Sequence, residues 1–172
     1  MAAPHVLLLT GVPGAGKTTL LRKVAASLSG RRIAGFTTEE IRESGRRVGF
    51  RIVPLHGPGR VMAHVDFQSR RRVSNYGVDV AAIDTVVEAT LTVDAAVELY
   101  LIDEIGKMEC FSERFTAAMR RLLDSTKRMI ATVARKGGGL IADVKERPDV
   151  EIWEVTAANR DALVERVLHW IS

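Results

Sequence analysis

The sequence predicts a three-layer α/β fold, a mostly parallel sheet between two layers of helices with an antiparallel hairpin insertion at one edge. Three observations predict it. An apolar run, His5-Val6-Leu7-Leu8-Leu9-Thr10, leads through the glycine-rich stretch Gly11-Val12-Pro13-Gly14-Ala15-Gly16-Lys17-Thr18-Thr19 into a segment of helical spacing from Leu20 to Leu28. A second apolar run, starting at Val97, ends on the carboxylate pair Asp103-Glu104. From Ser112 onward helical and strand patterns alternate, as a parallel sheet covered on both faces requires. The 172 residues, 47% hydrophobic and 27% charged, fit one domain over 1–172 with a continuous core.

The glycine-rich stretch carries the most specific chemistry. Gly11 to Thr18 matches G-x-x-x-x-G-K-[ST], the P-loop, in the required order of strand, loop and helix. A polyphosphate needs several donors converging on it at short range. Backbone N–H groups of a tight loop supply them where no side chain intervenes, hence Gly11, Gly14 and Gly16, with Val12, Pro13 and Ala15 completing the cradle. The helix that follows turns its free N–H groups and positive dipole end toward the same anion. Lys17 is expected to reach the β- and γ-phosphates, and the Thr18 hydroxyl to ligate a magnesium ion bridging them. Thr19 is a polar neighbour in the first turn of the helix, within the nucleotide-binding stretch.

After the first helix, Ser29-Gly30-Arg31-Arg32 is a helix stop. Ile33 to Arg42 and Arg47 to Leu55 read as strands of a hairpin turning at Ser44-Gly45, and Arg60 to Val65 as a third strand after the turn His56-Gly57-Pro58-Gly59. Gln68 to Asp79 reads as a basic polar loop, in which Arg70, Arg71 and Arg72 form a solvated run or send one arginine toward a phosphate. Val80 to Thr90 has the pattern of a surface helix. The run into Asp103-Glu104 should place both carboxylates at the C-terminal end of a buried strand, where open parallel sheets bind ligands. Asp103 fits the acid that holds magnesium opposite Thr18, and Glu104 the general base or positioner of an attacking water. Ser112 to Ser125 reads as a helix, Lys127 to Ala134 as a strand, Leu140 to Arg147 as a helix, Val150 to Val155 as a strand and Asn159 to Ile171 as the closing helix. The segment Arg135-Lys136-Gly137-Gly138-Gly139 is a basic loop, either a cover over bound phosphate or ordinary surface.

Charge and cysteine content narrow the function classes. Lys and Arg number 25 against 21 acidic residues, a net charge of +4, which suits a polyanionic small ligand and lacks the concentrated basic stripe of a nucleic-acid binder. The single cysteine, Cys110, has no intramolecular partner, and the four histidines show no metal-ligand spacing with it. No segment has the length of a membrane span and no basic region precedes the first apolar run. A soluble, cytoplasmic monomer is the expectation.

At Asp103-Glu104-Ile105-Gly106-Lys107-Met108-Glu109 the sequence resembles the small nucleoside-triphosphatase family that includes thermophile proteins and the human cancer-related nucleoside-triphosphatase. Gly35-Phe36-Thr37-Thr38-Glu39-Glu40, Arg46-Arg47-Val48-Gly49-Phe50, Tyr76-Gly77-Val78-Asp79 and Val155 to Asp161 extend the resemblance over nearly the whole chain. The resemblance implies a RecA-like P-loop core, magnesium, and slow hydrolysis of ATP, GTP, CTP and UTP to diphosphate and phosphate. The chain departs from the family in its shorter loop at Arg135 to Gly139 and its shorter segment before Tyr76.

The residues themselves describe water attacking the γ-phosphorus in line, with Lys17, magnesium and the loop amides stabilising the transferring group and Glu104 orienting the water. Lys107, Arg46 and Arg47 are candidates for a cation supplied in cis. Thr37 and Thr38 lie where the γ-phosphate is often sensed, and Glu39 and Glu40 are further candidates for water or metal contact. No motif reads guanine, so broad base tolerance is expected, with Asn159 and Arg160 the candidates beside the base. A nucleotide or nucleoside kinase would use the same loop but needs an acceptor pocket and lid. A nucleotide-dependent switch is the non-catalytic rival, since Asp103 to Gly106 also matches D-x-x-G.

Overall fold

A computed structural model describes residues 3–172. The first two positions of the domain expected over 1–172 lie outside it. A nine-stranded sheet runs in the order β5-β6-β4-β3-β2-β7-β8-β1-β9. Its strands are β1 (Val6–Thr10), β2 (Ile33–Glu43), β3 (Arg46–Pro54), β4 (Arg60–His64), β5 (Arg72–Val73), β6 (Tyr76–Val78), β7 (Leu99–Ile105), β8 (Arg128–Val133) and β9 (Val150–Glu154). The helices are α1 (Lys17–Ser27), α2 (Val80–Thr90), α3 (Glu113–Asp124), α4 (Leu140–Lys145) and α5 (Arg160–Ile171), with a 3₁₀ turn at Glu109–Phe111.

The pairings β2–β7, β7–β8, β8–β1 and β1–β9 are parallel, as helix-connected strands dictate. β1, β7 and β8 are buried almost throughout, because helices cover both faces. One core unites α2, α3 and α4 with that face of the sheet, through Ile83, Val86, Phe115, Met119, Leu122 and Val144. The other unites α1 and α5 with the opposite face, through Leu20, Leu21, Val24, Leu163 and Val167. Local sequence sets the ends of these helices. Asp79 caps α2 by accepting from the Ala82 N–H, and Ser112 caps α3 by accepting from the Phe115 N–H.

The antiparallel extension is larger than a hairpin. β2 belongs to both halves: Ile33 to Phe36 pair in parallel with β7, and Phe36 to Glu43 pair antiparallel with β3. The turn at Ser44-Gly45 has positive φ at both residues (49° and 77°), which gives a tight two-residue connection. β3 pairs with β4 and β4 with β6. The stretch Gln68 to Asp79, read as a loop, contains the small hairpin β5–β6, turning at Ser74-Asn75. Its strands are two and three residues long, too short to show alternation, and they are fixed by burial of Tyr76 and Val78. The triple arginine is mostly built into this edge. Arg72 donates to the carbonyls of Phe67 (3.1 Å) and Asn75 (2.8 Å), and Arg71 lies over the Phe111 ring. β7 starts at Leu99, two residues later than the apolar run suggested, because Glu98 turns out to accept from the Arg32 N–H at the strand mouth.

Candidate active site

β1 ends at Thr10 and the chain turns through Gly11 to Gly16 into α1 at the C-terminal edge of the parallel strands. Two glycines are fixed by geometry. A Cβ on Gly11 would stand 2.4 Å from the Val155 carbonyl oxygen, so only glycine lets the loop pass this close to the chain leaving β9. Gly16 adopts φ +104° at the N-cap of α1, a left-handed conformation that L side chains avoid. The cradle places Lys17 and Thr18 in the first turn of the helix. The Lys17 Nζ donates to the Gly11 carbonyl at 2.6 Å and to that of Val12 at 3.5 Å, so the ammonium is folded over the loop's own concavity.

Asp103 and Glu104 stand at the end of β7, joined by a cis peptide bond. They sit in different surroundings. Asp103 is buried, 2% exposed, and both its oxygens are held: Oδ1 accepts from the Thr132 hydroxyl at 2.8 Å, Oδ2 from the Thr38 hydroxyl at 3.1 Å and the Thr38 N–H at 3.3 Å. Three donors hold this carboxylate in one orientation. The Asp103 carboxylate and the Thr18 hydroxyl are the hard oxygen donors that could hold a magnesium ion here. No cluster of three or more His, Cys, Asp or Glu able to cage a metal occurs among the described residues.

Glu104 reaches the cleft. Burial and the neighbouring Asp103 charge push its carboxyl above the usual carboxylate range, and the Lys17 ammonium partly offsets them. A carboxylate raised in this way is a stronger base toward water. Behind it lies Glu109, 3% exposed, pushed well above the usual range first by burial and next by the Glu104 charge, against N–H donation from the backbone of Glu109 and Gly106. The two carboxyls flank Gly106: a Cβ there would meet Glu109 Oε2 at 2.9 Å and the Glu104 carboxyl carbon at 3.3 Å. Gly106 thus keeps room for both acids, a role visible in the sequence only as one letter of D-E-I-G. Cys110, next in line, has its thiol pushed up to about 12 by burial and is unreactive at neutral pH.

A cleft of about 760 Å³ joins these parts, lined by Pro13, Gly14, Gly16, Lys17, Thr18, Thr19, Arg22, Thr38, Glu39, Glu40, Arg47, Phe50, Glu104 and Arg160. Most of the residues singled out in the sequence meet here. Thr38 is the hinge between two walls, donating to Asp103 while accepting from Arg22 Nη2 through its carbonyl at 2.6 Å. Glu40 is occupied by Arg42 and Arg47, which leaves it poorly suited to hold a water or a metal. Arg160 lies against the loop, its Cδ 2.8 Å from where a Gly16 Cβ would be. Asn159 is turned the other way. Its Oδ1 accepts from the Thr156 N–H at 2.8 Å and its Nδ2 donates to the Glu154 carbonyl at 2.9 Å, so the carboxamide closes the β9–α5 connection. Lys107 lines a separate cavity of about 430 Å³ with Arg72, Cys110, Phe111, Gly137 and Gly138, and the basic loop Arg135 to Gly139 borders that cavity instead of the P-loop cleft. Phe50 was not singled out individually, because an aromatic in a strand carries no motif.

β8 lies between β7, which ends on Asp103 and Glu104, and β1, which leads into the P-loop, in a mostly parallel sheet covered by helices on both faces: the α/β P-loop fold. The family model described as NTPase matches residues 6–168. Nucleoside-triphosphatase THEP1 of Thermotoga sp. (strain RQ2) is 37% identical over 163 residues, covering 94% of this chain and 92% of the relative. The crystal structure of THEP1 from Aquifex aeolicus superimposes with a TM-score of 0.84 at 31% identity, covering 97% of this chain and 99% of that one. The solution structure of a human cancer-related nucleoside triphosphatase superimposes with a TM-score of 0.80 at 34% identity, covering 99% and 98%. The chain belongs to this nucleoside-triphosphatase family, the one its Asp103 to Glu109 run resembles.

Proposed function

We propose that the protein hydrolyses ATP, GTP, CTP and UTP to the diphosphate and phosphate, with magnesium as its cofactor, acting as a cytoplasmic monomer. The observation that carries this reading is that Lys17, Thr18 and Glu104 line one cleft, with the fixed Asp103 carboxylate beside it. Magnesium, when bound, would neutralise phosphate charge and polarise the terminal phosphoryl group, held by Thr18 and Asp103. The backbone N–H groups between Gly11 and Thr18, which Pro13 lacks, with Thr19 beside them, cradle the β- and γ-phosphates, and Lys17 leaves its loop carbonyls to meet them. Glu104 accepts a hydrogen bond from the attacking water and takes its proton as the new bond to the γ-phosphorus forms. The bond from that phosphorus to the bridging oxygen breaks, and the diphosphate leaves. We assign Arg160, which lines the cleft against Gly16, to the nucleoside, while Asn159 shapes the connection that carries it. Broad specificity rests on the sequence, which carries no guanine-reading motif, and on the Asn159 carboxamide being bonded within its own connection.

No helix among the described residues is long and apolar enough to cross a membrane. The deciding experiment is phosphate release by the purified protein with each of the four triphosphates, run with and without nucleosides, nucleoside monophosphates and sugars as acceptors. Phosphate released from all four, with kcat/KM values within about a hundredfold or roughly 3 kcal/mol of one another, is expected. A phosphorylated acceptor in place of free phosphate would make the protein a kinase.

A further inference from the structure

The wall of the cleft facing the P-loop is made by β2 and β3 where they run past the sheet edge. β2 leaves its parallel partner after Phe36, and the stretch from Thr37 to Glu43 continues paired to β3 alone, a reach of roughly 23 Å at about 3.3 Å per residue. Of the residues that line the cleft from this wall, Thr38, Glu39, Glu40, Arg47 and Phe50, one is a cation.

Arg47 is held on three sides. Its Nε donates to the Tyr76 hydroxyl at 3.1 Å and its Nη1 to Glu40 Oε1 at 3.0 Å. The guanidinium carbon lies 5.1 Å from the centroid of the Phe50 ring and 5.9 Å from that of Tyr76, and the two rings meet edge to face at 5.3 Å. A guanidinium pinned in this way loses little freedom when it meets a ligand. The charge balance around it matters as much. Glu40 Oε2 already accepts from Arg42 through Nε at 3.0 Å and Nη2 at 2.7 Å, so one arginine neutralises the carboxylate and the charge of the other is left over. Among the described residues Arg47 Nη2 meets no acceptor, and the side chain lines the cleft. The other cations differ in kind. Arg22 is bonded to the Thr38 carbonyl, Arg160 lies on the P-loop itself, and Arg46, at the exposed hairpin end, does not line the cleft.

We infer that Arg47 contacts the terminal phosphate of the bound triphosphate as a catalytic cation supplied in cis, with Glu40, Tyr76 and Phe50 as the residues that position it. This rests on the hydrolase reading above. Negative charge spreads over the transferring phosphoryl group as the bond to the leaving oxygen lengthens, and a guanidinium with free, fixed donors stabilises that state more than the bound ground state. Lysine has the charge but neither the planar fork nor the stacking.

The test compares the parent with Arg47→Ala, Arg47→Lys and Arg46→Ala in three measurements: single-turnover hydrolysis of ATP, affinity for ADP, and affinity for ADP in the presence of magnesium and aluminium fluoride, a mimic of the transferring phosphoryl group. Arg47→Ala and Arg47→Lys should each lower the single-turnover rate at least about a hundredfold and lose the tightening that fluoride brings, with ADP affinity within about threefold of the parent. Arg46→Ala should match the parent throughout. Rates within about threefold of the parent in Arg47→Lys, or ADP affinity falling as far as the rate, would overturn the assignment. If Arg47→Ala does not fold, Arg47→Lys decides, since it keeps the stem over Phe50. A parent that releases no phosphate would instead remove the hydrolase reading, so the two failures are distinguishable.

Discussion

In the parallel half of the sheet, β7-β8-β1-β9, the chemistry-bearing groups stand at strand C-termini or in the loop that follows: Gly11 to Thr18 after β1, Asp103 and Glu104 at the end of β7. In the antiparallel half, the residues that line the cleft come from strand interiors, Thr38 and Glu40 in β2 and Arg47 and Phe50 in β3, and they reach it because those strands overshoot the sheet edge. The first arrangement concentrates function in contiguous residues, since a loop at a strand end gathers neighbours in sequence. The second assembles it from positions brought together by register. The two halves meet at Asp103, whose carboxylate accepts from Thr132 of β8 on one side and Thr38 of β2 on the other.

The largest effect expected in the parallel half is at Lys17. Lys17→Ala should abolish measurable phosphate release and greatly weaken triphosphate binding, because the cradle loses its only lysine and the nearest cation to the β- and γ-phosphates. Turnover at the parent level, in protein free of contaminating phosphatase, would remove the active site from this loop. Asp103→Asn should come next, lowering both nucleotide affinity and rate, with part of the loss recovered by added magnesium in a titration of phosphate release; no recovery would mean the carboxylate serves structure alone.

A sharper comparison sets the two threonines of Asp103 against each other. Thr132→Val removes a fully buried donor at 2.8 Å, whereas Thr38→Val removes one at 3.1 Å and leaves the Thr38 N–H in place. Thr132→Val should therefore raise the magnesium concentration needed for half-maximal turnover by about tenfold or more, and Thr38→Val by less. The reverse order would show that the overhanging strand, not β8, fixes the Asp103 carboxylate.

The smallest effect concerns stability. Glu109 is raised in the folded state by burial first and by Glu104 next, so its proton is bound more tightly there than in the unfolded chain. Its contribution is fully present below the ordinary carboxylate value and is lost as pH rises toward the folded-state value. Glu109→Gln cannot ionise. Its melting temperature should gain on that of the parent as pH is raised from acid to mildly alkaline, and a difference that does not change with pH would contradict a buried neutral carboxyl.

The legibility of the fold follows the same division. The P-loop, the Asp103-Glu104 pair, helix α2 from Val80 to Thr90 and the turn at Ser44-Gly45 were readable because each is a local pattern with its own physical cause. The β5–β6 hairpin was not, since strands of two and three residues carry no period and owe their place to Tyr76 and Val78 packing inward. The same holds for the site. Arg46 and Arg47 are adjacent and alike in sequence, and only the bulged register of β2 against β3 puts Arg47 beside Glu40 and Tyr76. Asn159 reads from sequence as a candidate beside the base, and its carboxamide is bonded instead within the β9–α5 connection.

Glu104 carries the central claim, that this P-loop cleft is built to activate water and does more than bind nucleotide. Glu104→Gln keeps the size of the side chain and removes the base. The measurement is single-turnover hydrolysis at saturating enzyme, alongside titration of a fluorescent triphosphate into the same variant. A rate lowered roughly 10²–10⁴-fold with affinity little changed is the expected result. Hydrolysis at the parent rate would contradict it, and would leave the cleft a nucleotide-binding switch whose turnover is incidental.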